Sequence, residues 1–131
     1  MHIIAYLQYR KGTAMLASLR EEVHTMHAHI CSALADPNRI LLLYTLANGA
    51  DNVSTLAEEI NLPQPTVSRH LKVLRENGLV HCEREGHSVI YELSDRRVIQ
   101  ALDLLRALLA DNLEKRAALA RTAAETFTRD N

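Results

Sequence analysis

The apolar positions of this chain change their rhythm along its length, and each change marks an element. Over residues 14–33, Leu16, Leu19, Val23, Met26, Ile30 and Ala33 recur in alternating three- and four-residue steps. That spacing predicts a helix over 14–33 with one apolar stripe along its whole length. "ADPNR" ends it and starts another: Asp36 suits an N-cap, Pro37 suits the first helical position, and the helix runs to about Ala47. "NGADN" reads as a turn. Ser54 is placed to cap a short helix ending near Ile60, with Glu58 supporting its first turn. "NLPQP" is a tight connection to a helix from about Gln64 to Asn77. Gly78 stands where a left-handed residue closes a helix.

The period then shortens. In "LVHCEREGHSVIYEL", Leu79, Val80, Val89, Ile90 and Tyr91 supply β-formers, and a turn falls at Glu85–Ser88 around Gly86. Ser94 or Asp95 caps a last long helix reaching about Thr128. Its stripe reads Val98, Leu102, Leu105, Leu109, Leu113, Ala117, Ala120, Ala124 and Phe127. The expected fold is mainly α with a small β-hairpin: a single winged helix-turn-helix domain over 1–131. Helices at 14–33 and 95–128 flank a core and wing at 37–93. The two outer helices carry more apolar surface than one small domain needs, so self-association through them is expected.

Composition narrows the function. A chain of 131 residues fits one domain. Aromatics are 4% and there is no Trp, so aliphatic side chains must fill the core. Net charge is −1, which leaves DNA binding only to a local basic surface. Two cysteines are too few for a disulfide-framed scaffold. The opening run "MHIIAYLQYRKG" is broken by Gln8 and closed by basic residues. It is shorter than a membrane span, and its charge order is reversed for a signal peptide. A cytoplasmic protein without a membrane role is expected. No glycine-rich phosphate loop, nucleophile elbow or His-Glu-x-x-His motif points to an enzyme.

A short helix, a tight turn and a second helix make a helix-turn-helix, which places the second helix in a DNA major groove. In "QPTVSRHLKVLRENG", Val67, Leu71 and Leu74 share one face. Pro65, Thr66, Arg69 and Lys72 lie on or near the opposite face, with Gln64 and Ser68 at its start and flank. Arg69 can bond guanine with two hydrogen bonds, and Gln64 can do the same with adenine. Thr66, Ser68 and Lys72 can reach phosphates. His70 is a further candidate contact, at an angle nearer the packed face. Arg84 and His87 flank the turn of a wing, although Glu83 and Glu85 keep that wing from being strongly basic.

The stretches "ALADPNRILLLYTL", "VSTLAEEINLPQPTVSRHLKVLRENGLV" and "REGHSVIYEL" together resemble the ArsR/SmtB family of winged-helix repressors, over about residues 30–95. The resemblance implies a homodimer that binds a palindromic double-stranded DNA operator, with the outer helices at the dimer interface, and an inducer that weakens binding. By position, Gln64, Thr66, Ser68, Arg69 and His70 match the family's recognition helix, and Arg84 and His87 its wing. The family's metal sites do not carry over. "DNVSTLAEE" has no cysteine where one site has a Cys-x-Cys type motif. The last helix has Asp103, Asp111 and Glu114 but no His where another site pairs carboxylates with histidines. No cofactor is required on this reading; a transition metal such as zinc would enter as an effector.

"HTMHAHIC" offers a different input. On a regular helix, His24, His27 and Cys31 stand at i, i+3 and i+7 and share one side, while His29 points elsewhere. Two imidazoles and a thiolate suit zinc, with a fourth ligand from the partner subunit. Two other readings stand beside it. The histidines can be ordinary polar residues flanking the stripe, with Cys31 a small core residue. Or Cys31 and Cys82 form a redox pair, which needs Cα atoms within about 7 Å. The alternative function is a protein-interaction module that uses the winged-helix shape without DNA; near-neutral charge and an acidic wing allow it.

Overall fold

The computed structural model describes residues 13–130, so the opening run "MHIIAYLQYRKG" lies outside the described residues. The chain divides after Ser94 into two compact units. The first carries α1 (Thr13–Met26), a π-helical turn (His27–Cys31), α2 (Pro37–Ala47), β1 (Asp51–Asn52), α3 (Val53–Ile60), α4 (Gln64–Glu76), β2 (Val80–Glu85) and β3 (Ser88–Leu93). The second is one long helix, α5 (Arg97–Arg129).

The core of the first unit is aliphatic, as the scarcity of aromatics requires. Leu42 and Leu43 of α2, Leu56 of α3, and Val67, Leu71 and Leu74 of α4 are fully buried. Each such side chain contributes about 1.5–3 kcal/mol by leaving water. Asp36 caps α2 as expected, accepting from the Asn38 backbone N–H at 2.8 Å, with Pro37 in the first turn.

The sheet is three-stranded and antiparallel, in the order β1-β3-β2. Its hairpin sets Glu85 opposite Ser88 and Cys82 opposite Tyr91. The third strand corrects the sequence reading, which makes all of "NGADN" a turn. Asp51 pairs with Tyr91 and Asn52 with Ile90. Neither residue is a β-former; the pairing with β3, not local propensity, makes this a strand.

That pairing moves a helix cap. Asn52 is held extended (φ −89°, ψ 166°) and its side chain accepts from the Thr55 backbone N–H at 2.9 Å. Asn52, not Ser54, therefore caps α3, and the Ser54 hydroxyl is left for other work.

The helix expected over 14–33 is interrupted. A π turn occupies His27–Cys31, and the helix resumes over 32–33. Leu16, Val23, Met26 and Ile30 along this segment are exposed. In the second unit the N-cap of α5 is Arg96, without a side-chain cap bond, and not Ser94 or Asp95; the Asp95 side chain accepts from the Arg97 backbone N–H at 2.8 Å just before the helix. The Arg97 guanidinium and that N–H hold the Asp95 carboxyl below the usual carboxylate range. Leu104, Leu105, Leu108, Leu109, Leu113, Leu119 and Phe127 are all more than half exposed. Among the described residues, no helix is long and apolar enough to cross a membrane.

Candidate nucleic-acid interface

The turn between α3 and α4 is made by Asn61, a non-glycine residue in the left-handed region (φ 57°, ψ 51°). Asn tolerates that conformation better than other side chains with a Cβ. The Leu62 N–H closes the turn on the Ala57 carbonyl at 3.1 Å, and extended Pro63 leads into α4. At the far end, the Leu79 N–H returns to the Leu74 carbonyl at 2.9 Å and the Gly78 N–H to the Arg75 carbonyl at 3.1 Å. Gly78 has φ 76°, the left-handed residue that this 6→1 and 5→2 closure needs. The turn before α4 and the C-terminal end of α4 are thus fixed by local chemistry.

Between them the helix has two unlike faces. Val67, Leu71 and Leu74 are fully buried, while Gln64, Ser68, Arg69 and Lys72 are exposed. The exposed side chains are not all loose. Gln64 Nε2 donates to Ser54 Oγ at 3.2 Å, and Arg69 Nη2 donates to Thr66 Oγ1 at 3.2 Å. Lys72 Nζ stands 3.9 Å from a Glu76 carboxylate oxygen. Thr66, expected at a phosphate, is half-buried and already accepts from Arg69.

His70 departs from the expectation. Its side chain is only 15% exposed, with Nε2 4.0 Å from Asp36 Oδ1. Its Nδ1 lies 3.4 Å from Arg39 Nη1. At 100° per residue His70 stands about 60° from Val67, on the shoulder of the packed face. It joins α4 to the start of α2 and does not belong to the outward face. Arg39 extends this junction, donating from Nε to the Ala33 carbonyl at 2.6 Å and from Nη2 to the Ser32 carbonyl at 3.1 Å. On the wing, Arg84 and His87 are exposed on either side of Gly86 (φ 60°). Among the described residues, neither Arg84 nor His87 has a side-chain hydrogen-bond or ion-pair partner.

Comparison with known proteins fits this architecture. Residues 36–81 match the model of the family described as bacterial regulatory protein, arsR family. The HTH-type transcriptional regulator NmtR of Mycobacterium tuberculosis is 42% identical over 87 residues, covering 66% of this chain and 72% of that one. The chain belongs to the ArsR family. Among solved structures, the transcriptional repressor BigR of Xylella fastidiosa is similar with a TM-score of 0.58 and 32% identity, covering 68% of this chain and 94% of that one. A homodimeric winged helix-turn-helix DNA-binding domain from Mycobacterium bovis is similar with a TM-score of 0.63 and 28% identity, covering 79% and 92%. This ArsR-family chain is a winged-helix transcriptional regulator that binds DNA, and not an enzyme. The reading as an interaction module without DNA is not favoured by relatives named as regulators and repressors.

The residues of "HTMHAHIC" are not gathered by this ArsR-family fold. Among the described residues, no three His, Cys, Asp or Glu side chains come together as a metal site. A π turn occupies His27–Cys31, so the regular-helix spacing that puts Cys31 on the side of His24 and His27 does not run through this segment. His29, set aside in the sequence, finds a partner: its Nδ1 lies 3.3 Å from Asn77 Oδ1 at the end of α4. Cys31 and Cys82 are both free and half-buried, Cys31 in the π turn and Cys82 on β2. Arg75 Nη1 donates to Cys82 Sγ at 3.6 Å.

Sequence reasoning misses the residues that link elements. Asp36 and Arg39 sit in "ADPNR", where the pattern speaks only for a cap and a proline. Asn77 reads only as a helix end, and Ser54 only as a cap. A side chain's partner in another element has no sequence period, so pattern reading alone does not find it.

Proposed function

We propose that this protein is a homodimeric repressor that binds a palindromic operator and is released from it by an inducer. The observation that carries this is the outward face of α4, where Gln64, Ser68, Arg69 and Lys72 are exposed opposite fully buried Val67, Leu71 and Leu74. Arg69 reads guanine and Gln64 adenine; Ser68 and Lys72 hold phosphates, and Arg84 and His87 add backbone contacts from the wing. Homodimerisation is supported by the exposed leucines of α1 and α5 and by the homodimeric relative. Two-fold symmetry of the protein then asks for an inverted repeat in the DNA. The protein works in the cytoplasm, where its operator is.

The inducer is a metal ion or a thiol oxidant. A metal held by His24, His27 and Cys31 would need those side chains rearranged or completed by the second copy. A thiol oxidant would meet Cys31 and Cys82, both free.

The test is fluorescence anisotropy with duplexes from the DNA upstream of the protein's own gene. Tight binding to one inverted repeat, weakening steeply with salt, is the expected result. Repeating the titration with zinc or an oxidant reads out the inducer. Weak binding of equal strength to every duplex would overturn the repressor reading.

A further inference from the structure

Gln64 occupies the first position of α4. A side chain there cannot be braced from a preceding turn of its own helix, because the residues three and four earlier, Asn61 and Ile60, belong to the connection and to α3. Arg69 has no such difficulty: Thr66, three residues before it, accepts its Nη2 at 3.2 Å. The brace for Gln64 comes instead from another element. Ser54, in the first turn of α3, takes the Gln64 Nε2 hydrogen at 3.2 Å across ten residues of sequence. Ser54 is available because Asn52 has taken over the capping of α3.

A carboxamide has one carbonyl oxygen and two N–H groups. Pairing with adenine uses the oxygen, which accepts from N6, and one N–H, which donates to N7. The second N–H has no role at the base, and that is the one Ser54 can hold. We propose that Ser54 is a positioning residue for operator reading. Its hydroxyl fixes the amide plane of Gln64 and so sets the preference for an A·T pair at one position of each half-site. This rests on the DNA-reading role given to Gln64 above. It adds that the preference is held from α3, so α3 shapes which base is read without touching it.

The experiment selects bound sequences from a pool of random duplexes with the full-length protein, then repeats the selection with Ser54→Ala, Ser54→Thr, Gln64→Ala and the Ser54→Ala/Gln64→Ala pair. Thermal denaturation of each variant checks that it is folded. Ser54→Ala is expected to lower the A·T preference at a single half-site position by about three- to tenfold, the worth of one hydrogen bond. Preferences at the other positions stay as they are. Ser54→Thr, which keeps the hydroxyl, retains the preference. On the Gln64→Ala background, removing the hydroxyl changes nothing further. A Ser54→Ala loss spread evenly over all positions would make Ser54 a phosphate contact and overturn the proposal. So would an unchanged profile, or a Gln64→Ala profile altered at no position. If the unmodified protein selects no sequence at all, the repressor reading itself fails, an outcome distinct from these.

Discussion

Helix α4, the proposed recognition helix, and the wing both expose polar side chains, and they hold them differently. Helix α4 is anchored by three fully buried side chains and closed at its C-terminal end, and Gln64 and Arg69 are braced by the hydroxyls of Ser54 and Thr66. Toward the tip of the wing, β2 and β3 are joined by strand pairing and their side chains are exposed. Arg84 and His87 stand unbraced there, beside Glu83 and Glu85. Ordering a side chain in advance removes part of the entropy cost of binding. In the function proposed above, base reading therefore falls to the pre-ordered helix, and backbone attraction, which needs no fixed geometry, falls to the wing.

Three substitutions test that division. The largest effect is expected from Leu71→Ala, which empties a fully buried site beneath α4. It should cost about 2–5 kcal/mol in a urea or thermal unfolding experiment, with DNA binding falling alongside. A cost of only a few tenths would mean that α4 is not anchored from below. Arg69→Ala should leave stability nearly unchanged and cost about 1–3 kcal/mol of discrimination at one G·C pair, measured by anisotropy on base-substituted operators. If the loss is the same on every duplex, Arg69 belongs with the wing residues as a phosphate contact. The smallest change is expected from Arg84→Ala. It should weaken all sequences alike and reduce the slope of log K against log salt by about one. A sequence-dependent loss there would give the wing a reading role and erase the contrast.

How far the sequence tells this division in advance differs between its parts. The faces of α4 follow from spacing alone, because Val67, Leu71 and Leu74 recur at helical intervals and bury together. The cap of α3 does not. Asn52 and Ser54 are both good capping residues two positions apart, and the choice is made by β1, which extends Asn52 by pairing it with Ile90 thirty-eight positions away. The side of His70 is a matter of angle, and the angle is ambiguous until Asp36 and Arg39 supply partners. The π turn leaves no mark in the apolar stripe, since Ile30 and Ala33 still fall at helical intervals on paper. Local periods are legible; long-range partners, which fix caps and side-chain aim, are not.

Strand β3 serves two clients at once. Through Ile90 and Tyr91 it sets the start of α3, and through the same residues it sets β2 and the wing. Length changes along the hairpin are therefore not equivalent. Residues added at the tip, between Glu85 and Ser88, leave the ladder as it is and lengthen the wing alone. One residue added between Ser88 and Ile90 would turn over the faces of β3 and slide Asn52 off its partner. The wing can drift in length from one relative to another while the reader stays tuned, provided the insertions keep to the tip.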